Sequence, residues 1–307
     1  MTKENAERLI QRLIDNLPYR YKAKLVNGLL QVSTHKARSR LAGSGPIMVL
    51  IDNSVLGHGR THETVVHMQK INWPPGGEPG EVPIIYRAPI DFTQKDRELV
   101  YRNIRYLPGI AHLARLGFLM LRTSCELLSE RNHQPIGRFQ GKKGLFDYSL
   151  LENTNIESVD GYDVPDCDLK YFSNNPTVDK FIYSTDIDPL GMYPENKQKQ
   201  RDRVSRSNDP LYKGLARILP KKANLDAWHI RTAEVHGLFC FLTMDFKLRN
   251  IIEQKKKKEP ISSLRTMVLT PKEFGQHIGL WPIEPQICEL AESDAAQSSA
   301  RLRESLQ

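Results

Sequence analysis

The sequence predicts an α/β fold with a mainly parallel central sheet, and three observations predict it. Ile47 to Ile51 (IMVLI), Phe118 to Leu121 (FLML) and Phe239 to Thr243 (FCFLT) are continuous apolar runs of strand length. Their lack of alternation fits strands buried on both faces, as parallel strands are. Amphipathic helical patterns lie between them, several opened by Ser, Thr or Asp and closed by Gly.

Taken in order, residues 1–45 form a basic preface in which Arg8, Arg12, Arg20, Lys22, Lys24, Lys36, Arg38 and Arg40 outweigh Glu4, Glu7 and Asp15. Ala6, Leu9, Ile10, Leu13, Ile14 and Leu17 recur at helical spacing, Pro18 ends that run, and Leu25, Leu29 and Leu30 suggest a second helix. The preface reads as a helical hairpin packed on the main domain or on a second subunit, and its charge also suits a nucleic-acid arm. Gly43 to Pro46 reads as a linker.

The first strand, Ile47 to Ile51, is followed at once by Asp52, Asn53 and Ser54. An acid there lies at the carboxyl edge of a parallel sheet, where open α/β sheets bind ligands; it equally suits capping of the next helix. A helix-like or looped segment with Gly57 and Gly59 follows. His58 and His62 have the spacing of two ligands on one helix face, but the glycines oppose a regular helix, and with His67 they read as solvent-facing. The Pro/Gly-rich run from Trp73 to Pro83 reads as a loop.

A helix is predicted from Thr93 to about Tyr106 and another from Pro108 to Leu116, ended by Gly117. After the Phe118 strand, Thr123 and Ser124 cap a helix whose Glu126 and Glu130 share a face. From about 132 to 208 the periodicity is poor, and the segment reads as a partly ordered insertion with a short strand at Phe181 to Tyr183. Its basic cluster, Lys197, Lys199, Arg201, Arg203 and Arg206, reads as a solvated flexible segment or as a phosphate-contacting lid.

Asp209 and Pro210 start a helix to about Leu219. The stretch from Asn224 to Leu248 then opens a helix at Asp226, closes it at Gly237, and delivers Asp245 at the carboxyl end of the Phe239 strand. Lys255 to Lys258 form a charged loop, Met267 to Thr270 a last short strand, and Pro271 to Phe274 the start of a short helix. The domain boundaries are thus 1–45, 46–280 with its insertion, and a polar tail at 281–307.

The formal net charge of +8 favours an anionic partner such as nucleic acid. Cys125, Cys167, Cys240 and Cys288 form no CxxC pair, which argues against a structural zinc site. No apolar run approaches the ~18 residues of a membrane span. A soluble, cytoplasmic protein is the expectation.

The strands and helix starts bring four acids, Asp52, Glu130, Asp226 and Asp245, toward one sheet edge. Bare carboxylates there repel one another and have raised pKa values; a hard divalent cation such as Mg²⁺ or Mn²⁺ removes that penalty. Such a site suits phosphodiester hydrolysis, and no spacing argues for a Ser-His-Asp nucleophile.

These residues resemble the PIN-domain family of metal-dependent nucleases. Asp52 to Ser54 is similar to its D-x-S/T, and Thr123 to Glu130 to its Ser-started acidic helix, with Glu130 a better match than Glu126. Asp226, Ala227, His229 and Ala233 are similar to its D-A-x-H-x-x-x-A, Phe241 to Leu248 to F-L-T-x-D-x-x-L, and Thr270 to Phe274 to a closing T-P-x-E-F. The resemblance covers segments within about 47–130 and 209–275.

It implies a three-layer α/β/α PIN-like domain in which Asp52, Glu130, Asp226 and Asp245 hold Mg²⁺ or Mn²⁺, supported by Ser54, Thr243 and His229. For His229 a packed helix histidine is the competing role. The implied activity is endoribonucleolytic, with RNA favoured over DNA. A catalytically silent module that binds RNA or protein, and a toxin or defence effector held by a protein inhibitor or partner, are the alternatives. Self-association stays open, and no membrane partner is expected.

Overall fold

In the computed structural model the described residues are 18–59, 62–72, 79–90, 97–132, 150–153 and 197–285. The expected strand at Phe181 to Tyr183 and the first helix of the preface lie outside them. Five strands form one sheet in the order β5-β4-β1-β6-β7, every neighbouring pair parallel. They are β1 (Ile47–Ile51), β4 (Leu119–Thr123), β5 (Leu151–Asn153), β6 (Cys240–Leu242) and β7 (Met267–Leu269). The chain moves outward on one side from β1 to β4 and β5, then returns to β1's other edge for β6 and β7. The strand order therefore reverses between β1 and β6, the kind of crevice where open parallel sheets bind ligands.

Alternation along β1 divides its side chains between two cores. Val49 and Ile51 pack with Ile104, Ile110, Leu113 and Phe274. Leu50 packs with Phe241, Leu127, Trp228 and Leu215. The first core is built from α3 (Glu98–Ile104), α4 (Leu107–Arg115) and α10 (Pro271–Ile278); the second from α5 (Cys125–Asn132), α7 (Pro210–Ile218), α8 (Asn224–Val235) and α9 (Phe246–Gln254). The predicted α/β class with a parallel sheet is what this chain forms.

Several helix ends follow the sequence signals closely. Asp209 accepts from Tyr212 N at 2.8 Å with Pro210 at the first turn of α7. Thr270 and Glu273 form a reciprocal capping box at the start of α10, which gives the T-P-x-E-F run a local cause. Gly237, with φ of 60°, turns the chain from α8 toward β6.

The expected second helix of the preface forms as α1 (Tyr19–Leu41), buried through Val26, Leu30, Ser33, Thr34, Ala37 and Leu41. Other elements depart from expectation. The start of the predicted polar tail docks on α1: Trp281 N donates to Ser33 O at 3.1 Å and Ser33 Oγ to Trp281 O at 2.5 Å. After α2 (Asn53–His58) come β2 (His62–Asn72) and β3 (Pro79–Pro89), an antiparallel ribbon; β3 takes in residues 79–83 of the expected 73–83 loop, whose residues 73–78 lie outside the described ones. Pro83 is tolerated there because both strands of a two-stranded ribbon are edges. His58 ends α2 and His62 begins β2, so they share no helix face. The basic cluster falls on and just beyond a helix, α6 (Lys197–Ser205), whose Gln200 and Val204 are fully buried.

Gly275 of α10 faces Tyr106 so closely that a Cβ would lie 2.2 Å from the ring's Cδ1. Gly275→Ala is predicted to cost on the order of 2 kcal/mol by overpacking, read as a lower urea midpoint. An unchanged midpoint would show that this contact is looser than described.

Candidate functional site

Construction of the site starts with the register of β1 and β6. Leu50 lies opposite Phe241 and Ile51 opposite Leu242. Past the strand ends the pairing continues, with Asp52 N donating to Leu242 O at 2.9 Å. Asp52 and Thr243 thus leave the sheet side by side at its carboxyl edge.

Their side chains are tied together. Thr243 Oγ1 donates to Asp52 Oδ2 at 2.6 Å, and Ser54 Oγ donates to the same oxygen. Met244 N donates to Ser54 Oγ at 2.8 Å and Asp245 N to Thr243 Oγ1 at 3.0 Å. Thr243 is fully buried and Asp52 nearly so. The T-x-D and D-x-S motifs therefore mesh into one hydrogen-bonded knot that fixes the Asp52 carboxylate. The family resemblance gave Ser54 and Thr243 a supporting place beside the acids, and both reach Asp52.

Each remaining acid arrives on its own element. Asp245 is the N-cap of α9, its Oδ1 accepting from Lys247 N and Leu248 N, both at 2.9 Å. Asp226 sits in the first turn of α8, where the helix dipole favours a negative charge. Glu130 lies on α5, whose placement beside β1 is helped by Asn53 Nδ2 donating to Leu127 O at 2.8 Å. One turn on from Asp226, His229 is buried under the Phe241 ring, and its Nε2 is 3.2 Å from Glu130 Oε1. The histidine is thus both packed and engaged with the site.

Electrostatically, Asp226 feels the other three acids. Burial pushes Asp226 up from its ordinary 3.8 to about 6, and the charges of Asp52, Asp245 and Glu130 add to the rise against an opposing pull from His229. Burial also raises Asp52, although hydrogen bonds from Ser54 and Thr243 and the charge of His229 oppose it. For His229 burial favours the neutral ring, yet the Glu130 hydrogen bond and charge, with Asp226 and Asp52, together raise its pKa. Among the described residues no three His, Cys, Asp or Glu side chains form a ready-made cage for direct ligation. Mg²⁺ commonly keeps several waters and takes only one or two carboxylates. The chemistry of the donor set, four oxygen-bearing acids at a shared edge with a raised Asp226, fits such an ion.

Glu126 takes no part in this cluster. It is buried beside α6, its Oε1 3.8 Å from Arg203 Nη1, while Gln200 Nε2 donates to its backbone oxygen at 3.0 Å. Arg203 is therefore a largely buried ion-pair partner, not a residue of a flexible phosphate-contacting segment. Lys199 and Arg206 are exposed and Arg201 is half-buried, while the side chain of Lys197 lies outside the described set. The contact of Asn53 with Leu127 and the pairing of Glu126 with Arg203 escaped the sequence reading. The only signal for Asn53 was its place directly after Asp52.

No protein-family model, no curated protein and no solved structure matches this chain. Among the described residues no helix is long and apolar enough to cross a membrane.

The raised Asp226 has a consequence for stability. In the folded chain it binds its proton up to about pH 6, and unfolded it releases it near 3.8. Between these values the folded state holds more protons, so Asp226 makes the metal-free fold less stable as pH rises through this window. Two pKa units correspond to on the order of 3 kcal/mol. Asp226→Asn is predicted to raise the melting temperature in EDTA by on the order of 5 °C at pH 8, with the gain fading toward pH 4. A lower melting temperature at pH 8 would contradict the raised pKa of buried Asp226.

Proposed function

We propose that this chain is a Mg²⁺- or Mn²⁺-dependent endoribonuclease of the PIN-like, three-layer kind. The observation that carries the reading is the convergence of Asp52, Asp226, Asp245 and Glu130 from four elements onto the strand-order reversal between β1 and β6. Acids whose charges oppose ionisation at Asp226 destabilise a fold that gains nothing from them. A cation offsets that cost, and phosphodiester cleavage makes use of it.

Asp52, Asp226, Asp245 and Glu130 would hold the ion. Bound there, it would lower the pKa of a water for attack and neutralise charge on the phosphate. The chain's own groups orient the acids. Ser54 and Thr243 hold Asp52 through Oδ2, and the first amides of α9 hold Asp245 through Oδ1. His229 holds Glu130 through Oε1, and this pair is placed to retain a proton beside the acids. Such supporting bonds set ligand direction and basicity. RNA is favoured over DNA on the family resemblance, and the +8 net charge suits either polyanion.

Labelled single-stranded RNA and DNA, incubated with purified protein and Mn²⁺, test the reading. RNA cleavage is expected, abolished by EDTA. Asp226→Asn and Asp245→Asn are each expected to slow it by roughly a hundredfold, the scale on which loss of one charge-stabilising group acts. Undiminished cleavage by the double variant would sink the assignment. RNA binding without any cleavage would favour a silent binding module.

A further inference from the structure

Helix α1 carries six lysines and arginines and no acid between Tyr19 and Leu41. Beside its second half lies a groove of about 340 Å³ lined by Gln31, Val32, His35, Lys36, Arg38 and Trp281. None of these residues belongs to the acid cluster. Val32 and Trp281 are each 60% exposed, the largest values among the described exposed large hydrophobics. The Trp281 backbone is pinned at both N and O to Ser33, so an exposed aromatic ring is anchored to a rigid helix.

Within the lining, Arg38 Nη2 donates to Gln31 O at 3.0 Å, which holds the guanidinium beside Lys36 at the groove. Behind the groove, His112 Nε2 is 3.5 Å from Gln31 Nε2. Burial lowers the His112 pKa, and the charges of Arg38 and Arg115 lower it further, in keeping with a positive local potential.

An exposed anchored indole, the cations Lys36 and Arg38 in the lining and an acid-free helix together select a ligand with a flat π face and negative charge. A second copy of the chain fits poorly. A two-fold interface brings the same patch from each copy together, which here sets cation against cation. We propose that this groove seats a strand of single-stranded RNA, one base stacked on Trp281 and the adjoining phosphates on Lys36 and Arg38. The inference rests on the reading of the chain as acting on RNA and adds a holding surface apart from the acids.

Fluorescence anisotropy of a labelled oligouridine with the full chain in EDTA tests it, because binding is then read without cleavage. Trp281→Ala is expected to weaken binding about tenfold, the loss of one stacked base. Lys36→Ala is expected to reduce the slope of log affinity against log salt by about 0.7. Circular dichroism melts identify variants that stay folded, and Trp281→Phe, which keeps a π face, is expected to recover most of the affinity. Unchanged affinity in folded Trp281→Ala and Lys36→Ala overturns the groove, even if the wild type cuts RNA. Trp281-dependent binding by a chain that cuts no RNA upholds the groove and overturns the nuclease reading. Sedimentation showing a dimer broken by Trp281→Ala, with RNA affinity unaffected, overturns the groove in favour of a protein interface.

Discussion

The hydrogen bond from Thr243 to Asp52 joins the two strands on which the site depends. β1 and β6 are neighbours in the sheet although nearly two hundred residues separate them in sequence. Their parallel register ends at the same level, so the residues that follow emerge together. A hydroxyl on one side and a carboxylate on the other convert that coincidence of backbone into a fixed side-chain geometry. Ser54 closes the knot by accepting from Met244 N while donating to Asp52. One face of β1 then secures the sheet against α4 and α10, and the other against α5 and α8. The acids on α5 and α8 are held in place by that second core.

This geometry has an electrostatic cost. Fully made hydrogen bonds do not stop burial from raising Asp52, and Asp226, with fewer supporting bonds, is pushed to about 6. The charge of His229 opposes part of the rise at Asp52 and Asp226, at the cost of a buried ring with a raised pKa. A buried ionisable network of this kind is a poor way to stabilise a fold. The proposed function gives these carboxylates at a strand-order reversal a cation to hold.

Much of this was legible in the residues. The three continuous apolar runs became β1, β4 and β6 because strands flanked on both sides have no polar face to show. The Asp245 cap kept its place because its carboxylate satisfies the first amides of α9, whereas α8 opens at Asn224 and leaves Asp226 in its first turn. Elements whose logic is tertiary stayed hidden. The β2–β3 ribbon contains Pro79, Pro83 and Pro89, which argue against any central strand; nothing local reveals that both strands are edges. The polar sequence of α6 has little apolar periodicity, and only the burial of Gln200, Val204 and the Arg203–Glu126 pair explains its docking. Glu126 and Glu130 are indistinguishable by helical spacing, and it is the reach of His229 that draws Glu130 into the cluster.

The central claim is that the four acids await a divalent cation. Direct Mn²⁺ binding to the full chain, followed by calorimetry or by electron paramagnetic resonance of the free ion near pH 7.5, tests it without any assumption about substrate. The account predicts saturable Mn²⁺ binding by the wild type that competes with Mg²⁺ and is lost in Asp52→Asn and Asp226→Asn. Absence of binding in the wild type, or unchanged binding in both folded variants, would contradict it.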